Sequence, residues 1–292
     1  PFMLCWANEN WTRRWDGSED EVILSQKHSI EDDLAFIKDL EPALRDARYI
    51  RIDGKPLLII YRPELLPDPK ATAKRWRDYT KSQGIGDLFI VAAATFGFEN
   101  YQSINYDGLV QFPPHNIGAQ EINDKMEILH SNYQGHIYDY QDYAHQAINS
   151  LTGKQNTFPC VMMDWDNEAR KPGKGHTFYH CSPKNYQKWL ESAIHFVKDH
   201  NPQSEQFVFI NAWNEWAEGC HLEPDLKWGL GYLEATLRAL NSPVKQLNPT
   251  PVSSSENIPS KTQLTYWQVN KLMRDIKSLV HQLSVPGKNS ND

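Results

Sequence analysis

Short apolar runs alternate with longer amphipathic stretches along this chain. The apolar runs cover 2–6, 56–61, 88–95, 108–112, 160–165 and 207–213. Each has the length of a strand. Most are continuously apolar, the pattern of parallel strands covered on both faces. Between them, 29–44 opens on a capping serine, Ser29, and repeats Leu34, Ile37, Leu40 and Leu44 on one helical face. The stretch 69–83 starts at Pro69 and stops at Gly84, residues suited to the first turn and the end of a helix. Helical patterns follow at 138–150, 183–200 and 229–240, whereas 100–106 is too short for more than one turn.

Strand-then-helix order, repeated, predicts a parallel sheet with right-handed crossovers. An open doubly wound sheet and a (β/α)8 barrel both satisfy it. No GxGxxG or P-loop follows any apolar run, which counts against a nucleotide-binding sheet. Polar and aromatic clusters follow nearly every run instead, and a barrel builds its site at that end of its strands. The expected fold is α/β, a (β/α)8 TIM barrel spanning 1–241 and holding about six of the eight strand–helix units. The chain opens inside a strand without an initiator methionine, so the absent units are expected to precede it.

Composition narrows the chemistry. The net charge of −7 argues against nucleic acid as a partner, and no run of about 18 apolar residues predicts a membrane span. The cytoplasm is the expected location. Cys5, Cys160, Cys181 and Cys220 form no CxxC pair, so neither a disulfide framework nor a zinc site is expected. Ten tryptophans and thirteen tyrosines supply faces that can stack on sugar rings, although large cores use aromatics too.

The richest stretch ends the last apolar run. Asn214, Glu215, Trp216 and Glu218 lie together, with His221 and Glu223 just beyond. Glu215 and Glu218 are three apart, so a helical turn or tight loop aims both at one place. Two carboxyls among indole rings suit glycosidic-bond chemistry, in which one stays protonated and the other ionised. The plainer reading is a strand end with two solvated glutamates. After the first run come Asn8, Glu9, Trp11 and Trp15, with donors and acceptors for hydroxyls and stacking faces, or an aromatic turn tied by Arg–Asp pairing. Tyr61 and Arg62 end the second run, where the arginine either clamps an anion or ties a loop. His115 follows the fourth run. Asp164, Trp165 and Asp166 follow the fifth, where the aspartates either bind sugar hydroxyls or cap a loop. Glu218, His221 and Glu223 lack a recurring zinc spacing, no GxSxG occurs, and Cys220 has no evident base partner. No metal and no cofactor are expected.

Four segments together carry a resemblance: CWANENWTRRWDG at 5–17, RYIRIDGKPLLIIYRP at 48–63, MDWDNEAR at 163–170 and NAWNEWAEGCHLEPD at 211–225. They resemble the WbsX family, labelled glycosyltransferase and found in gene clusters for bacterial surface polysaccharides. That family is similar to glycoside hydrolase family 99, the endo-α-mannosidase and endo-mannanase group. The resemblance covers about 1–241 and implies a (β/α)8 barrel acting on an oligo- or polysaccharide, including O-antigen or lipopolysaccharide. The hydrolases carry a Glu-Trp-His-Glu-Gly motif, which stands here as Glu215-Trp216-Ala217-Glu218-Gly219 and departs from it at Ala217. By that match Glu215 deprotonates the sugar 2-hydroxyl and Glu218 is general acid, then base. Three readings are carried forward: a retaining hydrolase-like enzyme, a glycosyltransferase, and a sugar-binding domain without catalysis.

Past Asn241 the composition shifts. Residues 242–261 are rich in Pro, Ser and Asn and read as a linker. Residues 262–284 read as a lone helix with Val269, Leu272, Ile276, Leu279 and Leu283 at heptad-like spacing. That seam is expected to dock on the barrel, pair with a second copy, or lead to a neighbouring domain. Sedimentation of chains ending at Asn241 and at Asp292 tests self-association: a larger mass only for the longer chain supports pairing, and equal monomer masses remove it.

Overall fold

The computed structural model describes residues 1–13, 18–129, 131–151, 156–242 and 274–278. The last five are helical, but most of the expected C-terminal seam and linker lie outside the described residues.

Fourteen strands and five α-helices are described. The strands are β1 (Leu4–Trp6), β2 (Trp11–Arg13), β3 (Ser18–Leu24), β4 (Arg51–Ile52), β5 (Lys55–Ile60), β6 (Phe89–Ala94) and β7 (Gly108–Gln111), then β8 (His136–Asp139), β9 (Thr157–Phe158), β10 (Cys160–Met162), β11 (His176–Tyr179), β12 (Phe209–Asn211), β13 (Asn214–Glu215) and β14 (Cys220–His221). The helices are α1 (Ile30–Arg45), α2 (Pro69–Ser82), α3 (Tyr140–Asn149), α4 (Pro183–His200) and α5 (Gly231–Leu240). Four helix starts are capped as the sequence directs. Ser29, Asp68, Asp139 and Ser182 each accept a first-turn backbone N–H through the side chain.

The main sheet runs β1-β5-β6-β7-β9 in parallel, and β10 pairs in parallel with β12. Strand order follows chain order without reversal. This is a singly wound sheet, not the doubly wound alternative. Neighbouring registers put alternate residues on opposite faces. Leu58, Ile60, Ile90, Ala92 and Leu109 meet Ile37 and Leu44 of α1 and Ala73 and Trp76 of α2. Leu57, Ile59, Phe89, Val91, Ala93, Val110 and Phe158 face the other way and bury one another. No helix residue belongs to that second cluster. Its aromatic contacts reach across the strands, with Phe158 about equally close to Phe89, Phe207 and Phe209 at 6.3, 6.3 and 6.2 Å.

Three expectations need correction. The last strand stops at Asn211 and not at 213, because the carbonyls of Ala212 and Trp213 accept N–H groups of Leu222 and Glu223. The fifth stops at Met162 and not at 165, as Trp165 turns to bond Phe178. Alternation reading also missed two small pairs, the antiparallel β2–β3 and the parallel β8–β11. The first carries too many acids and the second too many histidines and tyrosines to read as apolar strands.

Packing of α1 on α2 centres on a buried carboxylate. Asp33 accepts from Thr72 Oγ1 at 2.7 Å and from the Arg75 guanidinium, while its backbone carbonyl accepts from Trp76 Nε1 at 2.8 Å. Asp33→Ala removes the charge partner of Arg75 and the acceptor of Thr72, leaving them only their bond to each other at 3.0 Å, and is expected to cost about 3–5 kcal/mol, measurable by denaturant unfolding. Lys74→Ala, removing the exposed partner of Asp78, is expected to cost under about 1 kcal/mol.

Candidate active site

At the C-terminal ends of the strands the inner face becomes polar and aromatic. Tyr61 and Phe112 pack at 5.1 Å, and Thr95 Oγ1 donates to the Tyr61 carbonyl at 3.0 Å. Asn211 ends β12 and donates to the carbonyl of Pro113 at 2.8 Å, linking the last strand to the loop after β7. The chain then passes a cis Asn211–Ala212 peptide and enters a tight hairpin. In it β13 and β14 pair Asn214 with His221 and Glu215 with Cys220, and Trp216–Glu218 form a 3₁₀ turn closed by left-handed Gly219. A tight loop therefore does carry both glutamates.

Their surroundings differ. Glu215 stands exposed on β13. Glu218 is half-buried, and Arg170 Nη1 lies 2.6 Å from its Oε1. Its backbone carbonyl accepts from Asp166 at 2.8 Å, so the hairpin is docked on the loop after β10. The indoles do not wall off the two carboxyls, contrary to expectation. Trp216 stacks on His221 at 3.7 Å and donates to Glu223 at 2.6 Å, leaving 49% of its surface exposed. His221 is held in turn by Asp225 at 3.2 Å.

Arg62 pairs with Glu9 at 2.6 Å and with Glu64, so it ties loops together. Asn8 uses both ends of its amide on the Arg62 backbone, at 2.7 and 2.8 Å, and is 1% exposed. His115 sits 3.4 Å from the Tyr61 hydroxyl. Asn8 and Trp165 were expected to face a ligand, and both are buried: Trp165 is 8% exposed within the cluster beneath α3 and α4. Trp11 projects from β2 with 67% of its surface free. Trp15 lies outside the described residues.

Asp164 and Asp166 cap local backbone, accepting from Trp165 N–H at 2.8 Å and Glu168 N–H at 2.9 Å. Burial raises the Asp164 carboxyl above its ordinary value, against hydrogen bonds from Cys181 and Trp165 and the charge of Lys227. Cys220 is buried, donates to the Asn211 carbonyl at 2.8 Å, and has its thiol pushed up to about 12 by burial, which removes it as a nucleophile at neutral pH. Among the described residues no group of three metal-ligating side chains converges. A cavity of about 320 Å³ opens between α3 and α4, lined by Tyr140, Ala144, Ile148 and Trp189 among others, and none of its lining residues is acidic.

Sequence reading missed Arg170, Phe96 and Trp213. Arg170 stood in a quoted segment, but only the fold brings it to Glu218. Phe96 had one signal, a phenylalanine directly before Gly97 at a strand end.

A family model described as Glycosyltransferase WbsX matches residues 1–236. The "Uncharacterized protein WxcX" of Xanthomonas campestris pv. campestris strain B100 is 39% identical over 240 residues, 82% of this chain and 34% of the relative. The chain thus spans about a third of the length of the curated relatives it matches. A solved "Glycoside hydrolase-like protein" superposes with a TM-score of 0.51 at 16% identity, over 70% of this chain and 59% of that one. The GH99 endo-alpha-mannosidase from Bacteroides thetaiotaomicron gives 0.44 at 12% identity, over 89% and 66%.

The raised Asp164 value sets a pH test. Its folded form holds a proton more tightly than the unfolded chain, so stability falls as pH rises through the raised value. Asp164→Asn is expected to raise the melting temperature at pH ~7, with the gain closing below the ordinary value of 3.8. Thermal scans from pH ~3.5 to ~7 check this.

Proposed function

The chain belongs to the WbsX glycosyltransferase family, and on that premise we propose that it is a carbohydrate-active enzyme working on a bacterial surface polysaccharide. We read β1, β5, β6, β7, β9 together with β10, and β12 as six consecutive staves of a (β/α)8 barrel with the site at their C-terminal ends. One observation carries the reading. Trp11, Phe96, Tyr179, Trp213 and Trp216 are the aromatics exposed among the described residues, and all five lie in the segments that follow β1, β6, β10 and β12. Exposed aromatic faces cost free energy in water unless a ligand covers them. Their confinement to loops that follow sheet strands, the set that also carries Glu215 and Glu218, suits pyranose binding near acid–base groups.

The chemistry follows from the motif match. Glu215 takes the proton of the sugar 2-hydroxyl, and O2 attacks the anomeric carbon. The glycosidic C–O bond breaks as Glu218 protonates the leaving oxygen, giving a 1,2-anhydro sugar. Water then opens that ring at the anomeric carbon. Glu218 takes the water's proton and Glu215 returns one to O2, so configuration is retained. Arg170 pairs with Glu218, so proton donation requires substrate to draw the two apart. Ala217 leaves the middle of the motif without the imidazole of the hydrolases.

A second reading, transfer from a nucleotide-activated donor, is favoured by the family's own description. A donor-dependence assay separates the two: turnover of polysaccharide without any activated donor supports hydrolysis, and strict donor dependence supports transfer. A binding domain alone predicts no turnover in either assay.

Glu218→Gln is expected to lower the rate by about 10²–10⁴-fold and to spare part of the first step for substrates with good leaving groups. Glu215→Gln is expected to slow both substrate types, and a 2-deoxy sugar is expected not to react. Full activity in Glu218→Gln, or normal turnover of the 2-deoxy sugar, removes this mechanism.

A further inference from the structure

At the end of β6 the chain adopts a costly turn. Phe96 adopts φ +48°, a left-handed conformation that side chains other than Gly, Asn and Asp rarely take, and Gly97 follows at φ +84°. The ring it presents is 50% exposed. A solvated turn at this place would ordinarily carry glycine or asparagine.

The turn is held on every side. Asn116, from the loop after β7, accepts from Gly97 N–H at 2.6 Å and donates to the Phe98 carbonyl at 3.1 Å. Phe98 N–H returns to Thr95, which is itself buried and bonded to Tyr61. The ring is fixed as well. The Arg62 guanidinium lies 3.9 Å from its centroid, and His115 packs against it at 4.6 Å. Arg62 is in turn held by Glu9 and Glu64. Side chains from the segments after β1, β5, β6 and β7 thus immobilise one aromatic ring while leaving half of it in water. His115 lies two residues beyond Pro113, whose carbonyl receives Asn211, and Asn211 leads into the glutamate hairpin.

We propose that Phe96 is a pre-organised stacking platform for a sugar ring of the substrate. The proposal rests on the polysaccharide reading and deepens it. A ring fixed before binding loses little conformational entropy when a sugar covers it, and this is the return for the strained turn. Arg62 acts as the support that holds the platform flat, which explains why its charge is spent on Glu9 and Glu64 and its face on Phe96.

The test uses the full chain with three variants. Wild type is first screened on an array of bacterial surface polysaccharides, and affinity for the best-bound glycan is measured by calorimetry. Phe96→Asn suits the left-handed backbone and removes the ring. It is expected to hold or raise the melting temperature while lowering affinity about 3- to 10-fold. Phe96→Leu, apolar but not aromatic, is expected to lose affinity likewise, and Phe96→Tyr to keep it. Wild-type affinity in Phe96→Asn or Phe96→Leu overturns the platform and leaves the polysaccharide reading standing. A fall in melting temperature in Phe96→Asn with unchanged affinity makes the ring a packing element and also overturns it. Wild type that captures no glycan on the array overturns the reading beneath it, and the platform with it.

Discussion

Mutual burial of the inner-facing side chains is the constraint on which the rest of this structure depends. Ile59, Val91, Ala93 and Val110 are almost wholly removed from water, and among the described residues no helix contributes to their cluster. They are dry because aromatic side chains, Phe158, Phe207 and Phe209 among them, pack over that face. At roughly 25 cal/mol per Å² of apolar surface, leaving it in water would be costly. At the strand ends, the loops after β1, β5, β6, β7, β10 and β12 are joined to one another by direct hydrogen bonds.

The loops are locked by hydrogen bonds and ion pairs between segments far apart in sequence. Asn8 bonds the Arg62 backbone, Thr95 the Tyr61 carbonyl, Asn211 the Pro113 carbonyl, and Arg170 the Glu218 carboxylate. Buried polar groups left without partners cost about 1–3 kcal/mol each, so these links are as obligatory as the apolar core beneath them. They also divide the labour among the polar residues. Asn8 and Arg62 spend their hydrogen bonds on neighbouring loops, whereas Glu215 keeps its carboxylate in water. The acidic hairpin is docked through Asp166 and Arg170 on one side and through the Trp216–His221–Asp225 stack on the other.

Much of this was legible in the sequence. Continuous apolar runs marked the parallel strands, because burial on both faces leaves no polar alternation. Ser29, Asp68, Asp139 and Ser182 sit where helix starts need an acceptor, and α4 has the span its pattern predicted. The three-residue spacing of Glu215 and Glu218 put both in one tight loop, since local geometry alone sets that relation. The family segments run in order from β1 to the hairpin.

Tertiary structure decided what spacing cannot carry. Arg170 meets Glu218 across 48 residues and Arg62 meets Glu9 across 53, distances over which sequence holds no record of contact. Asn8 and Trp165 looked like ligand groups and are buried, because exposure depends on which other segments arrive above a residue. Phe96 lies just past the third apolar run, where sequence reading assigned it no role, and is a half-exposed ring in a strained turn, because Asn116 and Arg62 reach it only in the folded chain. Local periodicity determined where strands and helices form, since their hydrogen bonds and faces are set by near neighbours. Which side chains face water at the strand ends was set by long-range contacts, because segments far apart in sequence meet there only in the folded chain.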